Sequence, residues 1–71
     1  MPTISEKITA LRKTANLTQE ALGGKLGVTG QAVSKWENGI SDPSTSNLIA
    51  LAKLYGVSVE EILNEIKEDE I

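Results

Sequence analysis

Residues 17–39 constrain the fold of this chain more than any other segment, because they contain the start signals of two short helices with a turn between them. Thr18 and Thr29 each carry a hydroxyl that can cap the first turn of a helix. Each is also flanked by the pair of apolar residues that staples such a turn. Gly27, between the two segments, can adopt the positive φ angle that a sharp reversal requires. The segment therefore predicts a helix, a tight turn and a second helix, numbered 2 and 3 below.

The rest of the chain carries similar helix signals and no alternating strand pattern, so we predict an all-α fold of five helices. Helix 1 begins after Thr3 and helix 5 after Ser58, each with a glutamate three positions on that completes a capping box. Helix 4 begins at Ser44 or Thr45 and ends at Gly56. With 71 residues and no cysteine, the domain must be stabilised by an apolar core and not by disulfides.

The charge of the chain is unevenly distributed, which bears on the partners it can bind. The net charge of −3 argues against nucleic acid, but residues 60–71 hold six acids and one base, and residues 1–59 hold six bases and four acids. We therefore divide the chain into a domain at 1–64 and an acidic C-terminal tail at 65–71. The tail is interpreted as a solubilising helix end; alternatives are repulsion of phosphate or a docking face for a partner.

Helix 3 is predicted to have one apolar and one polar face. Val33 and Trp36 lie on the apolar side, where a tryptophan is expected to join the core and not to stack on a base. The opposite side carries four polar residues without an acid among them: Gln31, Ser34, Lys35 and Asn38. Such side chains can bond base edges and phosphates, although an ordinary solvated helix face has the same pattern.

Residues 17–39 closely resemble the helix-turn-helix of the Xre/Cro/lambda-repressor family, and the likeness extends over about residues 4–64. The resemblance implies a compact five-helix lambda-repressor-like domain. It also implies a sequence-specific, double-stranded DNA-binding transcriptional regulator, in particular a repressor, which reads the major groove with helix 3. Carried over position by position, it implies base contacts from Gln31, Ser34 and Lys35. It implies contacts to the sugar-phosphate backbone from Gln19, Thr29, Asn38, Ser44 and Asn47.

A single motif of this kind contacts one half-site, so we expect a homodimer whose half-sites lie about 34 Å apart. Helix 5 and the chain after it, with the apolar residues Ile66 and Ile71, are the expected dimer surface. We also expect Glu37 to support the structure by pairing with Arg12.

Gly30 and Gly24 depart from the family pattern. Gly30 stands where the family often has a long polar side chain, so we expect no side-chain base contact from it. Gly23 is expected where helices 2 and 3 approach closely, and Gly24 on the exposed side of helix 2. Together these two are expected to cost about 2 kcal/mol of helix stability relative to two alanines.

Several other classes of function lack the residues they need. The chain has no histidine and no cysteine, and neither phosphate-loop nor calcium-loop spacing, so we expect no enzymatic activity, cofactor or metal site. No apolar run is long enough for a membrane span or a signal peptide, which leads us to expect a cytoplasmic protein. The rival to DNA binding is an antitoxin-like or protein-interaction module that binds a partner protein with the same fold.

Overall fold

The computed structural model describes residues 3–63 and contains five helices and no strand within that range. The helices are α1 (Ile4–Thr14), α2 (Gln19–Leu26), α3 (Gly30–Glu37), α4 (Thr45–Tyr55) and α5 (Val59–Leu63). The all-α, five-helix prediction is confirmed. The tail at 65–71, with Ile66 and Ile71, lies outside the described residues.

The predicted helix caps are present because each depends on a hydroxyl and a backbone N–H only three residues apart. The side-chain oxygens of Thr3, Thr18, Thr29 and Ser44 accept these N–H groups at 2.9 to 3.2 Å. Helix α4 is thus capped by Ser44 and begins one residue later. The capping boxes at Thr3 and Ser58 are both complete. The five start points therefore follow from local sequence.

The turn between α2 and α3 is sharp and closely packed. Gly27 adopts a φ angle of 77°, and its N–H donates to the carbonyl of Gly23. A Cβ at Gly23 would lie 2.8 Å from backbone atoms of Val28 and Thr29, closer than real Cβ atoms come. This confirms the close approach at Gly23. By contrast, a Cβ at Gly24 meets nothing within 4 Å, so the expected cost relative to alanine stays a prediction for Gly24, whereas the close backbone contacts contradict it for Gly23.

Every helix contributes residues to the hydrophobic core, and this shared core holds the α2–α3 pair against the rest of the domain. Its buried residues are Ile8, Leu22, Val33, Trp36, Leu51, Ala52 and Ile62. Trp36 is 4% exposed, which confirms its assignment to the core. Within residues 3–63, no helix has both the length and the apolar character needed to cross a membrane.

Candidate nucleic-acid interface

A shallow cleft of about 620 Å³ lies between the N-terminal ends of α2 and α3. Its polar lining comes from both helices and their caps: Thr18, Gln19, Glu20, Thr29, Gln31 and Ser34. Gly30 contributes its backbone. Because the first N–H groups of a helix carry partial positive charge, the two helix ends favour an anionic ligand such as a phosphate, whereas the Glu20 carboxylate in the same cleft opposes one.

The polar face of α3 adjoins this cleft. Gln31 and Lys35 are exposed, and Ser34 is half-buried. The Asn38 side-chain amide donates to the hydroxyl of Ser34 at 3.3 Å, so these two side chains are already paired. Val33, on the opposite side of the helix, is fully buried. The predicted two-faced character of α3 is confirmed, and the base contacts of Gln31, Ser34 and Lys35 stay a prediction.

Gln19 is held in place by a hydrogen-bond network that joins three helices. Its amide nitrogen donates to Glu37 at 3.1 Å. Arg12 donates to the two oxygens of the same carboxylate at 2.6 and 3.1 Å, and to the carbonyl of Leu17 at 2.8 Å. The expected pairing of Arg12 with Glu37 is therefore confirmed. Since an amide group has two N–H donors, Gln19 keeps one for a ligand.

Electrostatics favour the ionised form of Glu37. Burial raises the pKa of this carboxyl, but the hydrogen bonds from Arg12 and Gln19 outweigh burial and hold the pKa below its ordinary value. The hydrogen bond to Glu37 in turn raises the pKa of Arg12. Tyr55 lies near the pair, and burial raises the pKa of its hydroxyl. The network is a charged, largely solvent-excluded support beneath the cleft.

The remaining predicted residues lie outside the cleft lining. Ser44 is exposed, and its side-chain oxygen caps α4 by accepting the N–H of Asn47. Asn47 is half-buried, and Asn38 is exposed at the C-terminal end of α3. The structure thus brings together Gln19, Thr29, Gln31 and Ser34. For Asn38, Ser44 and Asn47, contact with a DNA backbone stays a prediction.

Two side chains of the cleft were not predicted as site residues from sequence: Thr18, which was expected only to cap α2, and Glu20. A Cβ at Gly30 would lie 3.1 Å from the Cα, Cγ and backbone N of Glu20. Gly30 thus lies in close contact with Glu20, besides offering no side chain for a base contact. The spacing of the two residues in sequence gives no sign of this contact, because it depends on how α2 and α3 cross.

Known proteins share both the sequence pattern and the fold. The family described as helix-turn-helix matches residues 8–62. The uncharacterized HTH-type transcriptional regulator MJ0272 of Methanocaldococcus jannaschii is 40% identical over 67 residues, which cover 94% of this chain and 98% of that protein. The transcriptional activator BcrR of Enterococcus faecalis is 40% identical over 60 residues, which cover 84% of this chain. This chain spans only 29% of the length of BcrR and 28% of that of the C2 repressor of Salmonella phage P22.

Two solved structures resemble the fold closely. The P22 c2 repressor in complex with a synthetic operator has a TM-score of 0.85 and 35% identity, covering 93% of this chain and all of that one. The SinR protein in its complex with SinI has a TM-score of 0.80 and 28% identity, covering 89% of this chain and 62% of that one. From its sequence match over most of its length and its fold, the chain belongs to the Xre/Cro/lambda-repressor-like helix-turn-helix family.

Proposed function

We propose that this chain is the DNA-binding domain of a transcriptional regulator and reads a specific double-stranded sequence with α3 in the major groove. The observation that carries the proposal is the cleft at the N-terminal ends of α2 and α3, together with the exposed polar face of α3 beside it. The likeness to a repressor in complex with its operator supports this use of the cleft. We propose repression as the mode of regulation, in line with that repressor.

The chemistry of α3 suits base edges. A glutamine amide can pair with the N6 and N7 groups of adenine, and a lysine ammonium with the O6 and N7 groups of guanine. We assign these roles to Gln31 and Lys35, which are both exposed, and a further base contact to Ser34. The assignment predicts an operator whose half-site contains both adenine and guanine.

Contacts to phosphates position the motif and carry no sequence information. We assign them to Gln19 and Thr29 at the two helix N-terminal ends, and to Asn38, Ser44 and Asn47. Gln19 suits the role because the network with Glu37 fixes its amide group before DNA arrives. A donor that is already oriented loses little side-chain entropy on binding.

We further propose that the chain acts as a homodimer in the cytoplasm, with one motif on each half-site about 34 Å apart. Exposed apolar side chains on α4 and α5 support this proposal, because they offer a surface through which two copies of the chain can associate. Ile49, Leu54 and Leu63 are 44%, 38% and 41% exposed. These residues are the dimer contacts to test first, together with Ile66 and Ile71 of the tail.

Selection of bound duplexes from a random pool tests the proposed function directly. We expect enrichment of a single motif that contains two half-sites. The matched control is a Gln31→Ala, Lys35→Ala double variant, which keeps the fold because both residues are exposed, and which should lose the base preference at the positions that these two residues read. Equal recovery of all sequences by the wild-type chain contradicts sequence-specific binding.

Binding of a partner protein is a second candidate function, supported by the likeness to SinR in its complex with SinI. A groove of about 530 Å³ between α1 and α5 offers a separate surface for it, with apolar walls from Leu11, Val57 and Ile62 and charged rims at Lys7 and Glu60. If the protein does both, a Lys7→Glu variant, which reverses a charge on the rim of this groove, should lose a co-purifying partner and keep its DNA motif.

A further inference from the structure

We propose that Glu20, whose Cγ lies directly beside Gly30, determines part of the base specificity by accepting a hydrogen bond from the N4 amino group of a cytosine. This inference rests on the proposed function, since it concerns the same cleft and the same DNA. It adds a base-reading residue from α2 to those on α3.

The Glu20 side chain lies directly beside Gly30. Gly30 is the first residue of α3 and lines the cleft. A Cβ at this position would lie 3.1 Å from the Cα and Cγ of Glu20, which is closer than most Cβ contacts. The Glu20 side chain therefore already lies against Gly30, in space that a larger residue 30 would need. With glycine at position 30, the Glu20 side chain borders the cleft with no neighbouring side chain at the start of α3.

The charge of the cleft comes from Glu20, and its carboxylate has no ionic partner in the described part of the chain. Its other lining side chains are neutral hydroxyls and amides, and Glu20 supplies the one formal charge among them. Glu20 is exposed and forms no ion pair with any lysine or arginine within residues 3–63. Its carboxylate is therefore free to accept a hydrogen bond from a ligand.

The hydrogen-bonding groups of the bases in the major groove determine which base a carboxylate can contact. Guanine and thymine present acceptors there, which repel a carboxylate. Adenine presents its N6 donor beside the N7 acceptor, whereas cytosine presents the N4 amino donor, from which a glutamate accepts a hydrogen bond. The first residues of a recognition helix are those that approach base edges. Glu20, whose Cγ lies beside the first residue of α3 and whose side chain is exposed, is thus placed to present its carboxylate to a base edge. A cytosine is the base that its acceptor chemistry selects.

Selection from a random duplex pool with wild type, Glu20→Gln and Glu20→Ala tests the inference. The wild-type motif should contain a cytosine at one position of each half-site. Replacing that cytosine should lower wild-type affinity about 5- to 150-fold, the range of one good base contact. In both variants that discrimination should fall at least about fivefold, while the other motif positions stay as they are. Glu20→Gln should shift the preference toward adenine, because an amide pairs with adenine.

The matched control is Glu60→Gln, which removes the same charge from an exposed glutamate at the equivalent second position of α5, outside the cleft. It should leave the motif unchanged. Thermal melting establishes that each variant is folded.

Two outcomes overturn the inference. If the Glu20 variants bind all sequences more tightly by one common factor that shrinks as salt rises, the carboxylate only repels phosphate. If the motif is the same in all variants, Glu20 reads no base. A wild-type chain that enriches no motif contradicts the proposed function itself, so the two failures are distinguishable.

Discussion

Glu37 connects the core to the candidate interface, because one carboxylate accepts hydrogen bonds from α1 and from α2. Its side chain is 6% exposed, and that of Arg12 is 14% exposed. Removing the charge leaves the half-buried guanidinium of Arg12 without a charged acceptor. Hydrogen bonds to charged groups contribute about 2 kcal/mol, so Glu37→Gln should lower the free energy of unfolding by about that amount at neutral pH.

The same carboxylate makes stability depend on pH. Because the folded-state pKa of Glu37 is lowered, its contribution is fully present above the ordinary glutamate pKa of about 4.3. It is lost as pH falls through the lower folded-state pKa. Urea unfolding of wild type and Glu37→Gln should therefore differ at pH 7 and converge toward pH 3. The exposed Glu60→Gln should match wild type within about 0.5 kcal/mol at neutral pH. A Glu37→Gln deficit that persists unchanged at pH 3 contradicts the electrostatic explanation.

Gln31 gives the sharpest test of base reading on α3 itself. Its side chain is exposed, so Gln31→Ala should leave the melting temperature unchanged. If the amide contacts a base, the substitution should weaken binding to the selected operator by about 1–3 kcal/mol and relax preference at one position. Fluorescence anisotropy on the operator and on a scrambled duplex separates the cases. Equal weakening on both duplexes assigns Gln31 to the phosphate backbone instead.

The paired glycines of α2 allow a matched test within one helix. Gly24→Ala should raise the free energy of unfolding by about 1 kcal/mol, because its Cβ meets nothing and alanine is the better helix former. Gly23→Ala should lower it by about 1–3 kcal/mol, because its Cβ meets backbone atoms of Val28 and Thr29, which cannot rotate away as a side chain can. Urea unfolding measures both. Equal stabilisation by the two substitutions contradicts the tight α2–α3 packing.

Contacts within one element could be predicted from sequence, and contacts between elements could not. The cap at Thr29 joins atoms three residues apart, so the local pattern suffices. The resemblance to a known family pointed to Gln19 as a ligand-binding residue, but its bond to Glu37 depends on how α2 and α3 cross. The contact of Glu20 with Gly30 depends on the same crossing. Helix placement and the polar face of α3 thus followed from sequence, whereas the support beneath the cleft required the structure.

The acidic residues near the C-terminus of the chain are expected to lower its affinity for DNA. Residues 64–71 hold four acids and one base, so a truncation after residue 63 takes the formal charge from −3 to neutral. If these residues act only by repelling phosphate through solvent, the truncation should bind random DNA modestly more tightly at low salt. The gain should fade near physiological ionic strength, where the screening length is about 8 Å.

The same truncation also tests the proposed dimer, because it removes Ile66 and Ile71. If these residues contribute to association, binding to an operator with two half-sites should fall and depend more steeply on protein concentration. Binding to a single half-site, which needs one motif, should change little. We would titrate the full chain and the truncated chain against both duplexes at two salt concentrations. A gain in affinity from reduced repulsion should occur with both duplexes and shrink as salt rises. A loss of affinity from weaker dimerisation should occur only with the duplex that has two half-sites. Identical titrations of the two chains leave the tail as the solubilising end that its composition first indicates.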